Sequence, residues 1–291
     1  AYKQICRPAV SAGGSVAEMI RPRTLSEAIS AAGSGDRIVI AAGCTDLFPA
    51  TQRQSLAGRI LDLTAVDGLR GIARTGDGWR IGAATTWTDV LRAGLPPAFD
   101  GLKAAARQVG GVQIQNAGTV GGNLCNASPA ADGVPPLLTL DAQVELASVG
   151  GVRRLPLAEF VTGPRRTMLG PGEILTAVLL PDAQGCGSFV KLGARAYLVI
   201  SIVMVAARVV VADGRLTQVA VAVGSCGPVA VRMTELEARL TGARVADAAG
   251  MVSADLVAPA LSPIDDVRAD AAYRTDAALE LVRRALDGAM A

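Results

Sequence analysis

Between Thr119 and Asp132 the chain reads Thr-Val-Gly-Gly-Asn-Leu-Cys-Asn-Ala-Ser-Pro-Ala-Ala-Asp, a crowding of bare-backbone residues against hydroxyl, amide and carboxylate side chains. Gly121 and Gly122 lack a Cβ, so the main chain there is free to adopt left-handed dihedrals and to bring N–H groups close to phosphate oxygens. Thr119, Asn123, Asn126 and Ser128 add side-chain hydrogen bonds, and the Asp132 carboxylate can accept from ribose or amine donors. These residues suit a cradle for a diphosphate. They suit equally an irregular Gly/Asn/Ser/Pro loop that binds nothing.

Composition removes several alternatives. The 291 residues contain no histidine, which excludes Ser-His-Asp and Cys-His relays, His-ligated zinc and imidazole proton shuttling. The five cysteines, Cys6, Cys44, Cys125, Cys186 and Cys226, form no C-x-x-C pair. No metal site and no iron–sulfur cluster is therefore expected on this chain, and the dispersed thiols fit packing in a reducing compartment. With 51% hydrophobic and 19% charged residues, a substantial core is expected. An aromatic share of 3% and a net charge of +2 without a basic run argue against nucleic acid as a partner. The start, Ala1 to Pro8, has no apolar signal-peptide core. The run Tyr197 to Val211 is broken by Ser201 and Arg208, so no membrane span is expected and cytoplasmic residence is the default.

The elements that must position the Thr119 segment are marked by caps and breakers. Thr24-Leu25-Ser26-Glu27 is a capping box, Gly33 ends its helix, and Arg37 to Ala41 reads as a buried strand. A second glycine-containing turn follows directly, Ala42-Gly43-Cys44-Thr45-Asp46-Leu47, at a strand's carboxyl end where ligands gather in such sheets. Strands are expected between Arg59 and Ala84, a helix capped by Thr86 or Thr88, and helical spacing from Pro97 to Val109. Gln143 to Ala147 and Val152 to Pro156 read as a hairpin, and Glu173 to Leu180 as a strand. Proline, glycine and polar residues at 181–187 suggest a domain boundary. Beyond it, Ser201 to Ala212 and Arg215 to Gly224 flank Asp213-Gly214 as a second hairpin. Val231 to Leu240, part of Val245 to Val257, and Ala269 to Leu286 read as helices.

Neither glycine motif forms a G-x-G-x-x-G after a strand, and no P-loop lysine is present. Taken together and in this order, Ala42-Gly43-Cys44-Thr45-Asp46-Leu47 and Thr119-Val120-Gly121-Gly122-Asn123 resemble the two FAD-binding motifs of the flavoprotein subunit of molybdenum hydroxylases, the family of xanthine and carbon monoxide dehydrogenases. The resemblance continues through Arg165-Arg166-Thr167, Glu173-Ile174-Leu175, Phe189 to Arg195 and Gly224 to Arg232. It implies an α+β fold: a two-lobed FAD-binding domain of the vanillyl-alcohol-oxidase type, residues 1–181 with a split near 55, then a smaller domain, 187–291, of a three-stranded antiparallel sheet plus helices.

By motif position the resemblance puts Ala42, Gly43, Cys44, Thr45, Asp46 and Leu47 on one side of the FAD diphosphate and Thr119, Gly121, Gly122 and Asn123 on the other. It puts Asn126, Ser128 and Asp132 near the adenosine-diphosphate moiety, and Leu175 and Lys191 close to the flavin ring. It further implies an electron-transfer subunit with no catalytic acid or base of its own. A large partner would carry the molybdenum cofactor, a small partner the 2Fe–2S clusters, in a dimer of heterotrimers. The competing readings are a stand-alone FAD-dependent oxidoreductase and a non-catalytic nucleotide-binding or scaffolding protein. Cys44 departs from the family's usual second glycine, and Val199 stands where relatives often carry aspartate. Asp46 and Asp132 also fit turn-stabilising roles, Lys191 a solvated one, Arg165-Arg166 an exposed pair or a patch facing a nucleotide or neighbouring subunit, Cys125 a packed thiol, and Tyr197 either a shield over the flavin or core packing.

Overall fold

The computed structural model describes residues 18–35, 38–50 and 58–291. The first strands are β1 (Glu18–Ile20), β2 (Ile38–Ala41) and β3 (Arg59–Asp62), which form a parallel sheet in the order β1-β3-β2. Helix α1 (Leu25–Ala32) crosses between β1 and β2, and its start is the expected capping box: Thr24 Oγ1 accepts from Glu27 N at 3.2 Å while Glu27 accepts from Thr24 N at 3.1 Å. Short helix α2 (Leu47–Ala50) follows β2. Strand β2 is less buried than its apolar run suggests, because Ile40 is 40% exposed. The expected strand start at Arg37, the lobe division near 55 and Cys6 lie outside the described residues.

The second lobe is built on an antiparallel sheet of five strands, β4 (Ile72–Thr75), β5 (Gly78–Gly82), β6 (Gln143–Ser148), β7 (Gly151–Pro156) and β10 (Ile174–Pro181), in the order β4-β5-β10-β6-β7. Between β5 and β6 run α3 (Trp87–Arg92), α4 (Asp100–Gln108), α5 (Val112–Ala117), α6 (Val120–Asn126) and α7 (Val134–Thr139). Thr86, one of the two expected caps, starts α3 with Asp89 completing its capping box. After β7 come α8 (Leu157–Phe160) and the two-stranded β8 (Val161–Gly163) and β9 (Arg166–Thr167). The helices bury Trp87, Phe99, Leu102, Leu124 and Leu137 against Ile81, Val144 and Val178 of the sheet. A fully buried side chain of this size contributes roughly 1.5–3 kcal/mol over its exposed state, so this packing fixes the frame on which the motifs sit.

The remaining segment forms an antiparallel sheet in the order of the chain: β11 (Cys186–Leu192), β12 (Val203–Ala212), β13 (Arg215–Gly224) and β14 (Val231–Arg232). Three strands are long, as expected, and β14 adds a two-residue edge. That edge occupies the beginning of a segment expected to be helical, so α9 spans only Thr234–Leu240. The reason is Met233 N, which bonds Val221 O at 2.9 Å and continues the ladder. Asp213 and Gly214 both have positive φ, 51° and 71°, the primed turn that suits the twist of a tight hairpin. Short helices α10 (Val245–Ala248) and α11 (Ala254–Val257) lead into α12 (Ala271–Met290), whose Ala278, Val282, Ala285 and Leu286 pack on Val203, Val205 and Val209.

The C-terminal sheet grips the second lobe through two arginines. Arg208 Nε donates to Thr139 O at 2.8 Å, and Arg232 Nη1 donates to Leu138 O at 2.9 Å and to Asp141 at 2.8 Å, with Glu237 holding the rest of the Arg232 fork. Burial pushes the Arg208 guanidinium down from its usual value, opposed by the Asp141 charge.

Candidate functional site

The two glycine motifs meet at one cavity of about 400 Å³, within the range typical of small-molecule sites. Its lining includes Ala42, Gly43, Cys44, Thr45, Asp46 and Leu47 from the first motif, Thr119, Gly121, Gly122, Asn123 and Asn126 from the second, and Leu175 from β10. The motifs touch directly: a Cβ on Gly43 would lie 1.9 Å from Ala117 O, and one on Gly118 would lie 3.3 Å from Thr45 Oγ1. Only a residue without a side chain allows that approach at position 43.

The second motif is not the irregular loop its composition suggested. Thr119 caps a seven-residue helix, α6, with its Oγ1 accepting from Gly122 N at 3.0 Å. Gly121 and Gly122 therefore have helical and not left-handed dihedrals, and the left-handed residue is Ala127, with φ 46°. The N–H groups of this segment are already engaged: Val120 N bonds Thr85 O at 2.9 Å, Gly121 N bonds Ala83 O at 2.9 Å, and Asn123 N bonds Thr119 O at 3.0 Å. Gly121 is a packing glycine, since a Cβ there would lie 2.7 Å from Ala83 Cβ. Gly122 is the open one, where a Cβ would meet only Thr119 Oγ1.

The first motif has the donors that the second lacks. Among the described residues, the N–H groups of Gly43, Thr45 and Asp46 have no acceptor. Cys44 takes the left-handed φ of 57° that glycine would adopt without strain, with its Sγ 3.4 Å from Ala42 O. The turn thus lines the cavity with three amides that are not engaged elsewhere, the kind of backbone donor that anions take. The described lining contains no lysine or arginine, so backbone N–H groups must do what cations do elsewhere.

One buried polar atom in the cavity wall lacks a partner. Asn123 Oδ1 is shielded from solvent and accepts from nothing, a state that costs about 1–3 kcal/mol, and it lies on the side of Gly133, where an added Cβ would be 2.9 Å away. The apolar wall, Ile40, Leu69, Val109, Ile114, Leu169 and Leu175, suits a flat hydrophobic ring. These residues fit FAD: unengaged amides for a diphosphate and an apolar slot for a ring.

Three expected residues do not line the cavity. Ser128 turns back on its own chain and accepts from Ala130 N at 3.2 Å. Asp132 and Lys191 pair with each other at 2.6 Å, their side chains 8% and 5% exposed, which also overturns the solvated reading of Lys191. Asn126 lines the cavity, but its Oδ1 and its carbonyl both accept from Arg165 Nη1, so that arginine is a wall support more than a free surface charge.

The sequence reading passed over Trp87, which is 1% exposed and underlies Gly118 and Gly133, and Glu173. Glu173 is fixed by Arg153 at 2.6 and 2.7 Å, and that pairing holds its carboxyl below the usual range. Its one sequence signal was its place beside Leu175. Cys125, expected to be packed, instead faces the cavity.

Known proteins carry the same plan. A family model described as the FAD binding domain in molybdopterin dehydrogenase matches residues 14–183, and one described as the CO dehydrogenase flavoprotein C-terminal domain matches residues 188–289. The xanthine dehydrogenase FAD-binding subunit of Escherichia coli O157:H7 is 34% identical over 224 residues, 75% of this chain and 76% of that one. The nicotinate dehydrogenase FAD-subunit of Eubacterium barkeri is 35% identical over 236 residues, 78% of this chain and 80% of that one. In structure, a chain of carbon monoxide dehydrogenase from Hydrogenophaga pseudoflava superposes with a TM-score of 0.86 at 26% identity, covering 94% of this chain and 96% of that one. With both family models spanning the two halves and a cavity built from both glycine motifs, the chain belongs to the family of FAD-binding medium subunits of molybdenum-containing dehydrogenases, and is an oxidoreductase component.

Proposed function

We propose that this chain holds FAD in the cavity between its two glycine motifs and relays electrons from 2Fe–2S clusters on a small partner subunit to an external acceptor. Substrate oxidation belongs, in this reading, to a large partner carrying the molybdenum cofactor, and two such heterotrimers associate. The observation that carries the proposal is the convergence of both motifs on one cavity with open amides at Gly43, Thr45 and Asp46. Each N–H donated to a charged phosphate oxygen contributes roughly 1.5–3 kcal/mol, enough for a few amides to retain the diphosphate without a cation. Asn123 and Thr119 are assigned to the ligand's hydroxyls and Leu175 to its ring; Ala42, Cys44, Asp46, Leu47, Gly121, Gly122 and Asn126 shape the walls. FAD, when bound, supplies the one- and two-electron redox chemistry.

The protein's part is binding, orientation and exclusion of water. Glu173 is held ionised by Arg153, so it exchanges no proton near neutral pH. That favours electron relay over substrate acid–base work. The assignment takes residues 1–181 as the FAD-binding domain and 187–291 as the second domain, with the complex in the cytoplasm. No helix among the described residues is long and apolar enough to cross a membrane.

Native purification followed by mass spectrometry tests the whole assignment. The expected result is two co-purifying chains, released FAD, and flavin bleaching when substrate is added to the complex but not to the isolated subunit. A colourless monomer would sink the proposal. A yellow monomer that oxidises a substrate unaided would establish the stand-alone oxidoreductase instead.

A further inference from the structure

The Asp132–Lys191 pair, removed from the cavity lining, clasps a loop. Strands β11 and β12 are joined by residues 193–202, and the 193–201 loop is closed at its neck by Ile202 N bonding Leu192 O at 2.8 Å. One carboxylate holds both stems: Asp132 Oδ2 accepts from Lys191 Nζ at 2.6 Å on one side, and Asp132 Oδ1 accepts from Ser201 Oγ at 2.5 Å on the other. Ser201 is 2% exposed. Lys191 Nζ also reaches Gln108 O at 3.3 Å, immediately before Val109 of the cavity wall.

The tip of this loop carries Tyr197, Leu198 and Ile200, which are 78%, 59% and 53% exposed. Within the loop Arg195 donates to Leu198 O through Nε and Nη2, Val199 packs on Gly193, and Leu198 sits at a left-handed φ of 52°. Yet the tip does not hang free. Leu198 leans on Gly111, where an added Cβ would lie 2.9 Å from Leu198 Cδ2. Gly111 lies between Val109 and Ile114, two residues of the cavity wall. An exposed apolar tip with a strained residue keeps such a position only if its stems are fixed.

We propose that Asp132 is a positioning residue: it pins both stems of the 193–201 loop and so keeps the loop against the Val109–Ile114 side of the cavity. The consequence for access to the cavity rests on the FAD assignment above; the pinning itself does not. Removing the Ser201 hydroxyl frees one stem. Replacing Asp132 removes the side-chain clasp on both, leaving only the backbone ladder at the neck.

Trypsin provides a readout independent of any cofactor, because Arg195 lies in the loop. With the full chain, Asp132→Asn is expected to raise the cleavage rate after Arg195 by about tenfold, and Ser201→Ala by a few-fold, as the loop opens locally. Asp132→Glu should restore part of the protection. Should Asp132→Asn fail to fold with Lys191 unpaired, Asp132→Asn combined with Lys191→Met keeps the site neutral and is expected to show the same cleavage. In flavin-loaded protein, iodide should quench flavin fluorescence more strongly in the same variants. Folded variants cleaved after Arg195 at the wild-type rate would overturn the proposal, as would cleavage that rises equally at every other site. Wild-type protein that binds no flavin would instead defeat the cofactor assignment and leave the cleavage result standing.

Discussion

The segments Ala42–Leu47 and Thr119–Asn126 look alike in composition, glycine beside threonine and a polar side chain, yet they perform opposite physical tasks in one cavity. In the first, amides at Gly43, Thr45 and Asp46 have no acceptor among the described residues. In the second, the N–H groups from Val120 to Asn123 are already engaged by Thr85, Ala83 and Thr119. A glycine in a motif therefore signals close approach, and only the neighbour decides whether the approaching group is a ligand or the protein itself.

Substitutions at three glycines break the comparison into its parts. Gly43→Ala is expected to have the largest effect, because its Cβ would fall 1.9 Å from Ala117 O and 2.8 Å from Gly118 Cα, both backbone. The two lobes must then separate, and flavin per protein should fall below about a tenth of wild type, measured by absorbance after gel filtration. Wild-type flavin content in this variant would show that the motifs need not touch. Gly121→Ala should act first on stability, by roughly 1–3 kcal/mol in urea unfolding, since its Cβ overpacks Ala83.

Gly122→Ala sharpens the contrast, because a Cβ there meets only Thr119 Oγ1, at 2.8 Å. Helix propensity favours alanine by about 1 kcal/mol, which offsets part of that crowding, so the fold should be kept. Flavin affinity should weaken several-fold as the methyl enters the cavity. A variant that loses stability but keeps affinity would exchange the roles assigned to Gly121 and Gly122.

The smallest expected effect concerns the Glu173 wall. Arg153's hydrogen bonds hold the folded carboxyl below its unfolded value, so the stabilisation is complete above about pH 4.3 and is lost as pH falls through the depressed folded value. The difference in urea midpoint between wild type and Arg153→Gln should therefore shrink in acid. A difference that stays constant from neutral pH down to about 3 would remove proton linkage from this pair.

Legibility followed the range of the interactions. Thr24 and Glu27, or Asp213 and Gly214, act on neighbours three or fewer positions away, and both the capping box and the hairpin were readable. The helix at Val120–Asn126 was hidden because its glycines and asparagines disfavour helix locally. Packing of Gly121 on Ala83 and the Thr119 cap override that preference. Likewise the shortened α9 depends on a ladder bond from Met233 to Val221, which no local pattern records.

The sequence by itself determined the family, the two motifs, the hairpins and the absence of imidazole chemistry, since these reside in residue identity and short spacing. Tertiary structure alone decided which amides stay open, that Asn123 Oδ1 is orphaned, and that Asp132 and Lys191 neutralise each other away from the cavity. The physical reason is that a donor or charge is defined by its partner. Here the partners lie far off in the chain: Asp132 and Lys191 are separated by 59 positions, and Asp132 and Ser201 by 69.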